Sequence, residues 1–315
     1  VSPAPPSRPL LLVADPHFGD EHPALPGALV ALARQLRPAA VALAGDLTQR
    51  STPAQWAATA RFVAALRAVT RDPRTGASSA PGIVAVPGNH DLPWHRPWQR
   101  LSSPRRAWRA AVAPGDGDGF AAPPGAAPDD PGPADGFLCA GAFAIAAIDT
   151  TRAWRHRHGE ITAGQVDRAA LRLAAAPHGL VRAVLTHHPL LPAVPGDSVH
   201  VARGAAAALP RLAAAGAAVL LSGHVHRPAI VAWAGVPGGV AVGGGTATSR
   251  RTRHGTRNVA VELNVHGTGH ERLLALRYWH AAPDSPFEPG AWCRIPIVAA
   301  TAARTLTRRP ALHPR

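Results

Sequence analysis

Lysine and methionine are absent from this chain, tyrosine occurs once, and cysteine occurs only at Cys139 and Cys293. Two cysteines so far apart, in no metal-ligand spacing, exclude a disulfide framework and a thiolate zinc site; both are expected to be buried apolar thiols. Long apolar runs are also missing. Although 46% of the residues are hydrophobic, no run approaches the roughly 20 residues of a membrane span, and the opening VSPAPPSRPLLLV has too short an apolar stretch for a signal peptide. The expectation is a cytoplasmic protein without a membrane partner. Acidic residues are scarce, 19 against 33 basic ones, for a formal charge of +14. Such a charge attracts phosphate backbones, yet every basic residue is arginine and alanine, glycine and proline abound, a bias that GC-rich codons produce without any partner. Nucleic acid is therefore compatible but not favoured. The densest basic segment, SRRTRHGTR at 249–257, reads as a solvated loop that would also tolerate an anionic substrate.

The 315 residues suit one large domain, expected over 1–281, with a C-terminal extension over 282–315 whose end is frayed. A segment at 113–136, dense in Pro, Gly and Asp, cannot bury a core and is expected to be a mobile surface loop. Elsewhere short runs rich in Val, Leu and Ile alternate with Ala/Leu/Arg segments of helical character, which argues for an α/β fold. Two helices announce their starts, one from Thr52 and one from Thr162, where Thr162 and Gln165 form a capping-box pair.

The apolar runs end in polar residues. PLLLVADPH leads into Asp15 and His17, AVALAGD into Asp46, GIVAVPGNHD into Asn89 and His90, RAVLTHHP into His187, and AVLLSGHVH into His224 and His226. Ligands of layered α/β proteins gather at the carboxyl ends of strands. In an extended chain, Asp15 and His17 share one face, as do His224 and His226, so each pair can reach one cation. Either pair alone is weak. Together, Asp15, His17, Asp46, Asn89, His187, His224 and His226 offer seven O/N donors, enough for two ions bridged by a carboxylate such as Asp46. Oxygen and imidazole donors without thiolate suit Mn, Fe or Zn rather than Ca.

These strings resemble the motif series of the calcineurin-like metallophosphoesterases: DPH at 15–17, GDLTQ at 45–49, GNHD at 88–91, THHPL at 186–190 and GHVH at 223–226, in that order. The resemblance implies a four-layer αββα sandwich of two mixed β-sheets flanked by helices. It implies that Asp15, His17 and His226 hold one metal, that Asn89, His187 and His224 hold the other, and that Asp46 bridges them. The ions would be Mn or Fe first, with Zn or Co compatible. A metal-bridging hydroxide would attack phosphorus, His90 would serve the leaving oxygen, and Asp91 would orient His90; His188 is the alternative to His187. GDLTQR lacks the tyrosine that purple acid phosphatases carry in the second motif, and GNHD differs from the GNHE of protein serine/threonine phosphatases. The strings VPGNHDLP, THHPL, SGHVHRP and GTATS are most similar to a bacterial phosphohydrolase branch related to class III 3′,5′-cyclic-nucleotide phosphodiesterases, with Pro16 in place of the usual leucine.

The implied activity is phosphodiester hydrolysis on a small phosphorylated substrate. A DNA nuclease of the same superfamily and a non-catalytic scaffold are the alternatives, and a homodimer is compatible with either. Arg50 and Arg227, beside the second and last motifs, are candidates for phosphate contact. Trp94, His95 and Trp98 are candidates for a pocket wall, with core packing the expected role of the tryptophans. Thr246 and Ser249, in GTATS, have no role assignable from sequence, and Gly88 is read as the turn that lets its neighbours diverge.

Overall fold

A computed structural model describes residues 8–70, 82–112, 134–194, 196, 198–253, 255–267 and 272–297. Of the segment expected to be a loop at 113–136, only 134–136 fall among these, and the end expected to fray lies outside them. The elements of the first half are β1 (Leu10–Val13), α1 (Leu25–Leu36), β2 (Ala40–Leu43), α2 (Pro53–Thr70), β3 (Ile83–Ala85), α3 (Pro97–Ser102), α4 (Arg106–Val112), β4 (Gly136–Ala140) and β5 (Phe143–Ile148). Then come α5 (Ala163–Ala174), β6 (Val181–Thr186), α6 (Ala205–Ala214), β7 (Ala217–Ser222), β8 (Pro228–Ala232), β9 (Val240–Gly244), β10 (Asn258–His266), β11 (Arg272–Ala281), β12 (Glu288–Pro289) and β13 (Cys293–Ile297).

They form two mixed sheets. One runs β12-β11-β10-β1-β2-β3, with β13 also on β11; the other runs β4-β5-β6-β7-β9-β8. Strands β12 and β13 carry the first sheet past residue 281. At the centre of each sheet the strands are parallel, β1 with β2 and β3, and β5 with β6, β7 and β9, so their carboxyl ends share one edge.

Strand alternation builds the layers. Leu10 and Leu12 of β1 meet Phe143 and Ile145 of β5 between the sheets, whereas Leu11 and Val13 pack outward on Leu25 and Leu29 of α1 and Phe62 and Leu66 of α2. On the second sheet Leu185 faces inward and Val184 faces outward, toward Val166 and Leu173 of α5 and Leu212 of α6. Each fully buried leucine contributes about 1.5–3 kcal/mol. The result is the expected αββα sandwich.

The helix starts agree with their sequence signals. Thr162 and Gln165 form the reciprocal capping box of α5, and Thr52 Oγ1 accepts from Gln55 N at 3.4 Å ahead of α2. Two expectations about burial fail. Cys139 is exposed and Cys293 half-buried, because β4 is an edge strand with Cys139 on its outward side. Trp94 and Trp98 are 51% and 84% exposed: Trp94 precedes α3 and stacks on His156, and α3 turns Arg100 rather than Trp98 inward, where its guanidinium donates to the carbonyls of Leu92, Ala153 and Arg155. No helix among the described residues is long and apolar enough to cross a membrane.

Candidate metal centre

All seven candidate ligands converge at the shared edge, from both sheets. Asp15 and His17 follow β1, Asp46 follows β2, Asn89 follows β3, His187 follows β6, and His224 and His226 follow β7. The pairs expected on extended backbone are instead left-handed: φ is 49° at Asp15 and His17, 50° at Asp46, 70° at His224 and 58° at His226. Each such residue costs of order 1–3 kcal/mol and persists only where its surroundings hold it. Here loop-to-loop bonds do so. Asp15 N donates to Gly45 O at 3.1 Å and His17 N to Asp46 O at 3.0 Å. The GTATS segment, without a role in sequence, clamps the same turn: Thr246 Oγ1 donates to Asp15 O at 2.6 Å and Thr248 Oγ1 to Pro16 O at 2.7 Å.

Asp46 stands between two groups of donors. Its Oδ2 lies 3.5 Å from His17 Nε2, and its Oδ1 lies 3.5 Å from His187 Nε2. On the first side His226 Nε2 is 3.1 Å from His17 Nε2 and 3.5 Å from Asp15 Oδ1. On the second, Asn89 Oδ1 is 3.1 Å from both His187 Nε2 and His224 Nδ1. Asp15 crosses between sheets, accepting from His224 N at 2.9 Å. Gly88 has no left-handed backbone; its role is close approach, since a Cβ there would collide with the Asp46 carboxylate and amide.

Metal ions fit these donors. His187 Nδ1 donates to Ala44 O at 2.7 Å and His226 Nδ1 to Arg251 O at 3.0 Å, which leaves each Nε2 with a bare lone pair facing a carboxylate oxygen. Lone pair against lone pair needs a positive charge between. At His226 burial opposes a proton, pushing the ring down to about 4, and it lowers His17 and His224 well below the usual imidazole range. Burial and the neighbouring Asp46 charge push Asp15 well above the carboxylate range. Burial would raise Asp46 too, but the facing His187, His90 and His17 outweigh it and hold Asp46 down. Two cations would relieve all of these conflicts together. His188 is buried, with Nδ1 2.8 Å from Thr150 Oγ1, and it joins His187 and His224 in a cluster able to hold an ion.

His90 sits beside His17, ring centroids 4.9 Å apart. Asp91 does not orient it. The Asp91 carboxylate accepts instead from Leu47 N at 3.1 Å, Thr48 N at 2.8 Å, Thr48 Oγ1 at 3.0 Å and Gly88 N at 2.9 Å, lacing two strand ends together. Burial, then the Asp46 charge, pushes Asp91 up to about 7. The orienting group is the Gln49 carbonyl, which accepts from His90 Nδ1 at 2.8 Å. Arg50, Arg227 and His95 are exposed. Three side chains at the site carried no assigned role in sequence: Arg251, 3.2 Å from His90 Nε2; His200, 3.3 Å from His224 Nε2; and His156, between His90 and Trp94 with centroids 6.3 and 3.8 Å away. The only signal for Arg251 was the density of the basic segment.

Comparison with known proteins bears on the family and the fold. The calcineurin-like phosphoesterase family model matches residues 8–228. No curated protein matches. Among solved structures, a dimetal phosphatase from Danio rerio is similar with TM-score 0.57 at 14% identity, covering 94% of this chain and 100% of that one. GAP50, the anchor in the inner membrane complex of Plasmodium, gives 0.55 at 12% identity, covering 95% and 91%. A purple acid phosphatase from yellow lupin (Lupinus luteus) gives 0.54 at 12%, covering 94% of this chain and 56% of the lupin chain. At such identities these likenesses speak for the fold, and the family match reaches further: the chain belongs to the calcineurin-like phosphoesterase family and is a hydrolase of phosphoric ester bonds.

Proposed function

We propose that this site hydrolyses phosphodiesters of small molecules, 3′,5′-cyclic nucleotides among them, with two ions drawn from Mn and Fe, and Zn or Co compatible. The observation that carries the two-ion reading is Asp46, whose two oxygens face His17 on one side and His187 on the other. The choice of diester rests on the resemblance of VPGNHDLP, SGHVHRP and GTATS to the bacterial branch related to cyclic-nucleotide phosphodiesterases.

Asp15, His17, Asp46 and His226 would hold one ion and Asn89, His187 and His224 the other, with Asp46 shared. Bound there, two cations supply an activated water and offset charge on the phosphoryl oxygens. The protein's own part is positional. Burial of Asp15, His17, Asp46 and His187 keeps bulk water from the floor of the site, and the Gln49 carbonyl fixes His90 Nδ1, so that Nε2 is the atom able to carry a proton to the leaving oxygen. A small substrate is preferred to nucleic acid because the charge is compositional.

The test is turnover of an aryl phosphodiester by protein loaded with Mn, Fe, Co or Zn, with Asp46→Ala and His90→Ala as controls. Turnover abolished by both substitutions is expected; no turnover with any of the four metals overturns the proposal. A panel of cyclic nucleotides, monoesters and glycerophosphodiesters then separates the substrate classes. A scaffold without catalysis, the other reading, predicts no bound metal by elemental analysis, and the complete ligand set argues against it.

A further inference from the structure

The basic segment that composition dismissed contains one arginine unlike its neighbours. Arg250, Arg253 and Arg257 are exposed, whereas Arg251 is half-buried. Its Nη1 donates to His90 Nε2 at 3.2 Å and to Gln49 Oε1 at 3.4 Å. Among the described residues no carboxylate pairs with it.

The backbone that carries this guanidinium is fixed. Arg251 N donates to the Oγ of buried Ser249 at 3.0 Å, buried Asn258 Nδ2 donates to Ser249 O at 2.8 Å, and Arg250 N donates to Asp20 O at 2.9 Å. The Arg251 carbonyl, meanwhile, holds His226 Nδ1. One residue thus sets the direction of a ligand imidazole with its backbone and presents, with its side chain, a cation that no described carboxylate ion-pairs.

A guanidinium has five N–H donors in a planar fork, and here the partners are an imidazole nitrogen and an amide oxygen. An anionic oxygen is the stronger partner, because charge-assisted bonds are roughly twice as strong as neutral ones. We propose that Arg251 is a substrate-binding residue: its guanidinium holds a non-bridging phosphoryl oxygen, exchanging its bond to His90 Nε2 for that oxygen and freeing Nε2 toward the leaving group. The assignment rests on the reading of the site as a phosphoesterase, and it makes the arginine at 251, rather than Arg50 or Arg227, the group that selects for an anion.

Inorganic phosphate is the probe. Its affinity for the metal-loaded protein is measured by calorimetry for the parent chain, Arg251→Ala, Arg251→Lys and Arg250→Ala, with metal content and melting temperature recorded for each. Arg251→Ala is expected to weaken phosphate about tenfold or more, Arg251→Lys to weaken it less, and Arg250→Ala to leave it unchanged, all with the parent's metal content. In steady-state assays the loss in Arg251→Ala appears in KM as well as kcat. Phosphate affinity within twofold of the parent in Arg251→Ala overturns the proposal, and so does an equal loss in Arg250→Ala, which would mean diffuse attraction. Arg251-dependent phosphate binding by a protein that turns over no ester upholds this assignment while removing the phosphodiesterase reading.

Discussion

At the scale of single residues, the centre depends on side chains whose neighbours leave them no alternative. Asp46 faces both donor groups and Asn89 only one. Elemental analysis should therefore show Asp46→Ala depleted of both ions and Asn89→Ala depleted chiefly of one; equal depletion would contradict the shared carboxylate. Asp91 supplies a sharper contrast. Because its carboxylate serves Leu47, Thr48 and Gly88 rather than His90, Asp91→Ala leaves buried amides without an acceptor, at about 1–3 kcal/mol each. Its melting temperature should fall together with its activity, whereas a mere orienter of His90 would lose rate at unchanged stability. The seven ligand candidates were legible because each closes a short apolar run. Arg251, Thr246 and Thr248 were not: what gives them work is contact with residues up to 232 positions away, which no local spacing records.

Helices and strand ends divide the labour differently. The start of α5 was readable because a capping box is local, two side chains three residues apart satisfying each other's backbone. Thr162→Ala should cost about 1 kcal/mol in urea denaturation and leave metal content untouched, since α5 lies on the outer face of the second sheet. A loss of metal in that variant would show the outer helices and the centre to be coupled. The strand ends were misread as extended because side-chain period alone cannot distinguish β from left-handed backbone when the neighbouring loop supplies the hydrogen bonds. Misplacement of Trp94 and Trp98 has a related cause: hydrophobic residues in a short turn region carry no period, and the buried side of α3 is given to Arg100.

Across the whole molecule, the two sheets are joined by an apolar interior, and a buried ionic knot ties the connection between α3 and α4 to the end of β5. Asp149, after β5, pairs with Arg105, ahead of α4, and accepts from Ala134 N at 2.9 Å and Thr151 N at 2.8 Å. Burial alone would raise the Asp149 carboxyl, but Arg105 and these donors outweigh it, and the folded value lies below the ordinary one. A depressed folded value gives stability that is present above the unfolded value, about 3.9, and lost as pH falls through the folded one. Asp149→Asn should therefore be less stable than the parent at neutral pH, with the gap narrowing below about pH 4 in chemical denaturation; a gap constant with pH would assign the loss to packing. The α/β class followed from the alternating runs, and the two-sheet sandwich from the resemblance that the motif series carries. Its sheet membership past residue 281 did not, because β12 and β13 acquire their meaning only by pairing with β11.

Neither donor group belongs to one sheet. His226, after β7, completes the set of Asp15, His17 and Asp46, and Asn89, after β3, completes the set of His187 and His224. Each ion would thus act as a staple across the seam, and its dissociation constant would report how closely the two halves have docked.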